Sequence, residues 1–385
     1  MHADACPLHP DVTIAWLRLS FRKKPRDQPE TSERWNRVGR ELAERGLDAF
    51  LVTFGPNVRY LTGFTGSNAA VLIIPGHVVF FTDPRYGIQA EAECPCAVRV
   101  AKGPLYRLAL RYAAARGAGL LGFESEHLSH DSAGRLARLA PRGLRLEPVA
   151  GLIEALRRVK TDEEVGRIEQ AAKTCAQAFL ETVRDLRPGL RESEVAAELD
   201  YRMRRLGASG PAFETIVAAG GHSALPHARP GADRLKAKQL VLVDCGAMQN
   251  GYCSDMTRML YLGRPGRRVD RLYSALRDAQ QAALERIREG VTAESVDRAA
   301  RRVLKVHSLE ESFVHSTGHG LGLEIHEAPR IGRGEKTRLQ AGMVVTVEPG
   351  IYIEGFGGMR LEDLVVVTPN GHRNLTPLPR DLITV

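Results

Sequence analysis

The sequence predicts a mixed α/β (α+β) chain of two domains, and three observations lead to that prediction. The chain has 385 residues, which is enough for two hydrophobic cores. Residues 30–152 alternate short apolar runs with segments of helical periodicity, a pattern typical of an α/β domain. Residues 153–385 contain one arrangement twice, in which two helices precede a β-hairpin rich in carboxylates.

The composition is that of a globular protein and excludes several classes of function. Apolar residues make up 43% of the chain and charged residues 26%. The formal net charge is +8, but the arginines are scattered among acidic residues, so no nucleic-acid partner is expected. No apolar run approaches the roughly 18 residues of a membrane span, so no membrane partner is expected. Six cysteines without zinc spacing or a Cys-x-x-Cys motif predict reduced thiols and a cytoplasmic location.

Residues 1–29 stand apart from the two predicted domains. Their apolar stretch around Trp16 and Leu17 is short and lies close to Arg18 and Arg22, which does not suit a secretory signal. We therefore expect a disordered extension, or a start codon assigned too early. The first domain is placed at residues 30–152 and the second at residues 153–385.

The first domain is expected to alternate helices and strands. The predicted elements are a helix over Thr31–Arg45, a strand over Asp48–Thr53, a turn at Pro56–Asn57, a hairpin of Ala70–Ile74 and Val78–Thr82, a helix over Asp83–Ala92, a helix over Gly103–Arg116, a strand over Leu120–Glu124, a helix over Asp131–Ala140 and a strand over Arg145–Pro148. The glycines of residues 63–69 precede a strand rather than opening a helix, so no nucleotide-binding fingerprint is present.

The helices of the second domain occur in two similar pairs. A long helix over Thr161–Arg187 begins with Thr161 and Glu164 at the positions of a capping box. It is followed by a helix that runs to Gly207. About a hundred residues later a helix over Asp270–Glu289 is again followed by one that begins after Gly290.

Each helix pair precedes a hairpin with two acidic residues. In the first hairpin, Asp244 and Asp255 lie nearly symmetrically about an Asn-Gly turn at residues 250–251. In the second, Glu348 and Glu362 lie symmetrically about Gly355. Opposed residues of an antiparallel pair have Cβ atoms about 5 Å apart, so each hairpin offers two carboxylates to one point.

The strands that carry these carboxylates are apolar, and this favours a bound cation. A single acidic residue beside a turn is usually solvated, which is the simpler interpretation for Asp255 alone. Four carboxylates on buried strands are costly without partners, so the two hairpins together imply cations. Whether the four side chains converge depends on the tertiary fold.

The segment 313–329 concentrates histidine and glycine. His315, His319 and His326 lie within twelve residues, and three glycines occupy positions 318, 320 and 322. So many glycines suit neither a stable helix nor a well-filled strand, but they allow close approach to the imidazoles. The segment is either a glycine-rich loop with ordinary polar histidines or a metal or acid–base site. The number of histidines, with Glu324 and Glu327 between and beside them, favours the site. Its spacing is not that of the His-Glu-x-x-His helix.

These motifs resemble those of the pita-bread metallopeptidases, which include prolidase, aminopeptidase P, methionine aminopeptidase and creatinase. The five metal ligands of that family correspond to Asp244 in VDCGA, Asp255 in SDMTR, His319 in STGHG, Glu348 in VEPGIY and Glu362 in RLED. The first half is similar to the creatinase-like amino-terminal domain of prolidases and aminopeptidases P, through YLTGFTGSNA and FTDPRY. The resemblance covers about residues 30 to 385 and implies an N-terminal creatinase-like domain followed by a pita-bread catalytic domain.

The resemblance also implies a mechanism. Two divalent ions are expected, with Mn²⁺ favoured by the oxygen-rich ligand set and Co²⁺ or Zn²⁺ as alternatives. Asp255 and Glu362 would bridge the ions, Asp244 would complete one site, and His319 with Glu348 the other. A metal-bridging hydroxide is the implied nucleophile.

The catalytic and supporting residues are likewise implied by the resemblance. Glu348 would exchange a proton with the nucleophilic water. His227, in ALPHARP, and His326 would bind the scissile carbonyl and its oxyanion. His315, Tyr352 and Arg360 would form a supporting or substrate-binding layer around them.

Three functions remain open, and the first is favoured. An Xaa-Pro aminopeptidase is preferred because FTDPRYGIQAEAE resembles that branch of the family. The alternative is a prolidase, restricted to Xaa-Pro dipeptides, for which Arg59 and Arg85 are candidate carboxylate-binding residues although ordinary surface arginines are the simpler interpretation. A non-catalytic peptide-binding pita-bread module is the third. The expected partners are a peptide with proline in second position and a second copy in a homodimer.

Overall fold

The structure is a computed structural model that describes residues 29–385. Apart from its last residue, the extension predicted for residues 1–29 lies outside the described residues. Residues 29–157 contain α1 (Pro29–Arg45), β1 (Ala49–Val52), α2 (Gly55–Thr62), β2 (Ala69–Ile74), β3 (His77–Thr82), α3 (Gly87–Glu93), β4 (Ala97–Val100), α4 (Leu105–Ala115), β5 (Leu120–Glu124), α5 (His130–Leu139), β6 (Arg145–Val149) and α6 (Leu152–Arg157).

The first six strands form one mixed sheet in the order β4-β3-β2-β1-β5-β6. Strand β1 is antiparallel to β2 and parallel to β5, so it lies at the centre of the sheet. All four of its residues are buried, and alternate ones pack into different clusters: Phe50 joins Val38 and Leu42 of α1, whereas Leu51 joins Leu110 of α4. Helices therefore cover both faces, as expected for a sheet with buried central strands.

Three elements of this half differ from the sequence prediction. Pro56 does not begin a turn but lies in the first turn of α2, where its missing N–H costs nothing, and Gly63 ends that helix with a φ of 76°. Strand β4 and helix α6 were not predicted. Both are short, at four and six residues, so periodicity alone could not identify them.

Residues 158–385 follow the duplicated order that the sequence predicted. They contain α7 (Asp162–Arg184), α8 (Glu192–Arg205), β7 (Gly210–Pro211), β8 (Ile216–Ala219), β9 (Leu240–Cys245), β10 (Ala247–Gln249), β11 (Tyr252–Cys253), β12 (Met256–Tyr261), α9 (Arg267–Arg286), α10 (Ala293–Val306), β13 (Gly318–Gly320), β14 (Glu327–Ile331), β15 (Val344–Val347), β16 (Gly350–Ile353), β17 (Gly357–Arg360), β18 (Asp363–Thr368), β19 (Gly371–Asn374) and β20 (Ile383–Thr384).

The beginning of α7 confirms the predicted capping box. The Thr161 hydroxyl accepts a hydrogen bond from the Glu164 amide, and the Glu164 carboxylate accepts one from the Thr161 amide. This exchange satisfies two donors that a helix start otherwise leaves free.

The alternation of side chains along β9 explains how an acidic face arises in an apolar domain. Val241 and Val243 pack with α7 and α8, whereas Leu242 points to the other face and packs with α9. Because side chains alternate along a strand, Asp244 shares the face of Leu242. The second helix pair and the sheet of β14-β13-β15-β18-β19 lie on that side.

None of the helices between residues 29 and 385 is long and apolar enough to cross a bilayer.

Candidate metal centre

The first hairpin has the predicted turn but a shifted register. Asn250 and Gly251 both have positive φ, 52° and 81°, as a two-residue hairpin turn requires. This turn pairs Asp244 with Thr257, so Asp244 and Asp255 are not directly opposed as the sequence symmetry implied. Asp255 lies two residues from Thr257 and hence on the same face of the hairpin. The two carboxylates are therefore diagonal neighbours, which still allows them to approach one point.

The second hairpin follows the predicted register. Val347 pairs with Asp363 on one side of the acidic positions, and Gly350 pairs with Arg360 on the other. The register is the same on both sides, which puts Glu348 opposite Glu362. Hydroxyl groups hold two of the carboxylate oxygens: Thr257 Oγ1 donates to Glu362 Oε2 at 2.7 Å, and Thr346 Oγ1 donates to Glu348 Oε1 at 3.2 Å.

The glycine-rich segment contains a three-residue strand, β13, although its glycines were expected to suit neither a stable helix nor a well-filled strand. Strand β13 lies between β14 and β15. A Cβ on Gly318 would lie 2.0 Å from the Thr346 carbonyl oxygen, and one on Gly320 would lie 2.5 Å from the Ala328 carbonyl oxygen. Glycine is therefore needed because the neighbouring strands approach too closely for any side chain.

This strand aims one nitrogen of His319 at the acidic residues. Its Nδ1 is 3.0 Å from the Gly320 carbonyl oxygen, to which it donates, so Nε2 is left free to bind another group. His319 Nε2 lies 3.6 Å from Asp255 Oδ2 and 3.4 Å from Glu348 Oε1. Ligand atoms of Asp255, His319 and Glu362 all lie within 4.8 Å of one another.

All five candidate ligands line one cavity of about 840 Å³. The other predicted site residues in its wall are His227, His315, His326 and Arg360. Tyr352 stands behind them, where its hydroxyl is 2.9 Å from His315 Nε2 and accepts from Arg360 at 2.6 Å. The structure thus gathers the five candidate ligands, His227, His315, His326, Tyr352 and Arg360 in or beside one cavity.

The acidic residues of the cavity lack enough hydrogen-bond donors. Among the described residues, Asp244 Oδ1, Asp255 Oδ1 and Glu362 Oε1 are buried and have no hydrogen-bond partner. A buried carboxylate oxygen without a donor is costly, and a cation removes that cost. Four carboxylates and one imidazole are a donor set suited to hard or borderline divalent ions. The residues present therefore fit divalent metal binding.

Burial shifts the pKa of each of these groups in the direction that favours its neutral form. Burial raises the pKa of Glu348 to about 8, although Arg360 opposes the rise. Burial and the neighbouring carboxylates raise the pKa values of Asp255 and Glu362 well above their ordinary range. Burial lowers the pKa of His319 to about 4, so this imidazole is neutral at pH 7 and available as a ligand.

Arg360 ties the acidic cluster to the loop that carries His227. Its guanidinium donates to Asp244 Oδ2 at 2.5 Å, to Thr257 Oγ1 at 3.1 Å and to the Pro226 carbonyl oxygen at 3.1 Å. The residue is 3% exposed, so these bonds form away from water and orient Asp244 firmly.

The two histidines assigned to the substrate carbonyl lie beside the acidic cluster. The His326 ring is 4.4 Å from the His319 ring, centroid to centroid, in a T-shaped arrangement. Burial, and then the nearby His227, lower the pKa of His326. A neutral imidazole keeps one N–H that can donate to a carbonyl oxygen in the cavity.

Sequence reasoning missed two arginines in the cavity wall. Arg229 and Arg330 line the cavity, whereas Arg59 and Arg85 are not among the described residues that do so. Arg59 lies against Gly251, and the exposed Arg85 pairs with Asp83. Arg330 on β14 is directly opposite His319 on β13. In the sequence, the signal that could have pointed to Arg330 was its position four residues after His326.

Fold and site together define a metal-dependent hydrolase built from a creatinase-like domain and a pita-bread domain. Residues 34–159 match the Creatinase/Prolidase N-terminal domain, and residues 166–369 match metallopeptidase family M24. The chain belongs to metallopeptidase family M24, whose members are dinuclear metal-dependent enzymes. This confirms the resemblance inferred from the motifs and the fold class.

Similar proteins act on Xaa-Pro peptides. The Xaa-Pro dipeptidase of Pyrococcus furiosus is 34% identical over 354 residues, which is 91% of this chain and 99% of that protein. The structure of an Xaa-Pro dipeptidase from Bacillus anthracis is 36% identical with a TM-score of 0.90, covering 92% of this chain and 100% of the other. An X-Pro aminopeptidase from Thermotoga maritima is 36% identical with a TM-score of 0.85, covering 89% and 99%.

Proposed function

We propose that this protein is a prolidase, a metal-dependent peptidase that hydrolyses Xaa-Pro dipeptides. The observation that carries the proposal is the set of four carboxylates and His319 around one cavity, with three buried carboxylate oxygens lacking a donor. The relatives named as Xaa-Pro dipeptidases support the dipeptide as substrate. The preference for an aminopeptidase drawn from the sequence therefore gives way to the alternative.

The proposed metal site uses the five residues inferred from the resemblance. Asp255 and Glu362 would be shared by two ions, Asp244 would bind one, and His319 with Glu348 the other. The unpartnered oxygens of three of these residues support their assignment as ligands. Mn²⁺ is the proposed ion because oxygen ligands dominate, with Co²⁺ or Zn²⁺ as alternatives. When bound, the ions supply a water that is deprotonated near neutral pH.

The proposed catalytic roles of the side chains are proton transfer and stabilisation of developing charge. Glu348 takes the proton of the attacking water on its carboxylate and passes it to the proline nitrogen that leaves. His227 and His326 donate N–H groups to the carbonyl oxygen as negative charge develops on it.

The cavity wall supports a short substrate that ends in a carboxylate. Phe213, Ile216 and Ile325 supply apolar surface for a proline ring. Arg330 Nη2 donates to the Arg333 carbonyl oxygen at 3.0 Å, and its charge also helps to lower the pKa of Glu335, so a substrate carboxylate would share this arginine with Glu335. A dipeptide bound at the metal centre would place its terminal carboxylate within the same cavity.

An Xaa-Pro aminopeptidase is the second candidate, supported by the likeness to the Thermotoga maritima enzyme. A non-catalytic module is disfavoured because no candidate ligand is missing. Demetallated protein supplied with Mn²⁺ should be assayed on an Xaa-Pro dipeptide and on the matching Xaa-Pro-Yaa tripeptide. We expect hydrolysis of the dipeptide alone. Comparable hydrolysis of the tripeptide identifies an aminopeptidase, and hydrolysis of neither peptide contradicts both proposals.

Assembly and location also remain proposals. A homodimer is proposed from the family resemblance, and light scattering on the purified protein measures it directly. A cytoplasmic location is proposed because the five cysteines of the described residues are free, which suits a reducing compartment.

A further inference from the structure

A buried polar network connects the first domain to the segment that carries His326. Arg157, at the end of α6, donates from Nη2 to Glu324 Oε2 at 2.7 Å and to Glu327 Oε1 at 2.5 Å. Lys160 Nζ donates to Glu327 Oε2 at 3.0 Å. The side chains of Arg157, Lys160 and Glu327 are 3%, 2% and 6% exposed, so this is an ion cluster shielded from water.

Asn57 of α2 holds the other side of Arg157. Its amide oxygen accepts from Arg157 Nη1 at 2.7 Å. Its amide nitrogen donates to Glu124 Oε1 at 2.7 Å and to Glu154 Oε1 at 2.5 Å. Both amide hydrogens and the amide oxygen are therefore bonded, and the residue is completely buried. Asn57 thus fixes the guanidinium of Arg157 from the first domain.

The Glu327 carboxylate in turn folds back on its own segment. It accepts from the Glu324 amide at 3.2 Å, and a Cβ on Gly322 would lie 2.8 Å from its Oε1. The main chain of residues 322–327 thus contacts the Glu327 carboxylate, which is itself bound by Arg157 and Lys160. His326 immediately precedes Glu327 within this segment, and its ring packs at 4.4 Å from the ring of His319, centroid to centroid.

We propose that Arg157, oriented by Asn57, is a positioning residue that fixes His326 relative to the metal centre. The inference rests on the proposed function, in which His326 binds the carbonyl oxygen. The first domain then contributes to catalysis without contacting the substrate. In this buried ion cluster both terminal nitrogens of Arg157 and both carboxylate oxygens of Glu327 are bonded, which leaves few alternative arrangements and holds the adjoining segment rigidly. Displacing a catalytic group by about 1 Å costs roughly 100-fold in rate.

The test compares Arg157→Ala and Asn57→Ala with a matched control, Arg34→Ala. Arg34 is also a buried arginine between the two halves of the chain, and it bonds the Tyr60 carbonyl oxygen and Glu164 away from residues 322–331. For each variant we would measure amide hydrogen exchange by mass spectrometry, bound Mn²⁺, kcat and KM. Exchange is read on the demetallated and the Mn²⁺-loaded protein.

We expect both network variants to lose exchange protection in residues 322–331 and to lower kcat, by about 100-fold for Arg157→Ala. Bound Mn²⁺ should stay within about twofold of the original protein, since the network touches none of the candidate ligands, and kcat should fall by a larger factor than KM rises. The control should change none of these values.

Unchanged exchange in residues 322–331, or a kcat within about twofold of the original per Mn²⁺-loaded molecule, would overturn the proposal. If Arg157→Ala does not fold, Asn57→Ala decides by the same two measurements. An original protein that cleaves no Xaa-Pro peptide refutes the proposed function instead, and the exchange data still test the positioning of the segment.

Discussion

Arg258 offers the sharpest test of how the two hairpins are held together. It is fully buried on β12 and pairs with the equally buried Asp363 of β18, from Nη2 to Oδ1 at 2.7 Å. The same guanidinium donates to four carbonyl oxygens, those of Thr257, Glu362, Leu378 and Pro379. One side chain therefore joins both acidic hairpins to the carboxyl-terminal segment.

We expect Arg258→Met to lower the free energy of unfolding by about 3–5 kcal/mol. Adding about 1.5–3 kcal/mol for each charge-assisted bond would give a far larger value, but such a sum ignores the lost hydration of a buried ion. The dominant effect is the charge of Asp363, which the substitution leaves buried with Arg380 Nε, at 3.9 Å, as its remaining ion-pair partner among residues 29–385.

Urea titration followed by circular dichroism measures this change, with Arg277→Met as the control. Arg277 also pairs with an aspartate, Asp381, at 3.1 Å, but the two side chains are 45% and 75% exposed. An exposed pair contributes at most about 1 kcal/mol, so the control should change little. A loss below about 1 kcal/mol for Arg258→Met would refute the claim that this ion pair is shielded from water.

Three further predictions concern the site. A chelator should abolish hydrolysis and lower the melting temperature, because the unpartnered oxygens of Asp255 and Glu362 lose their cation. Added Mn²⁺ should restore both the activity and the melting temperature. A melting temperature that does not respond to Mn²⁺ would contradict this prediction. His326→Ala should lower kcat by about 100-fold or more with metal content intact, whereas loss of one metal equivalent would make it a ligand. Arg330→Met should raise KM for the dipeptide by about 10- to 100-fold, since a charge-assisted bond contributes about 1.5–3 kcal/mol. The control is Arg333→Met, which removes a neighbouring arginine that pairs with Glu310 and should leave KM unchanged.

Local features of the sequence were sufficient for much of the fold. The capping box of α7 and the Asn-Gly turn involve residues at most three apart, so their chemistry is visible in a short window. The duplication of helix pairs and hairpins could also be recognised from the sequence. The set of acidic and histidine residues followed from the same repeats and from the resemblance they carry.

Contacts between distant residues needed the structure. Asn57 and Arg157 are 100 positions apart, and Arg157 and Glu327 are 170 apart, so no window of sequence relates them. Short elements such as β4 and α6 were missed because too few residues repeat within them.

The sequence alone therefore indicated the candidate site residues and determined which repeated units of the fold present them. Only the tertiary structure decided that Asp244 opposes Thr257, that the glycines of β13 form a strand, and that Arg330 lies across from His319. The physical reason is that register and close approach are set by neighbouring strands. The strands that pair with a given strand come from other parts of the chain. Steric contact with them overrides the structure that the strand's own composition favours.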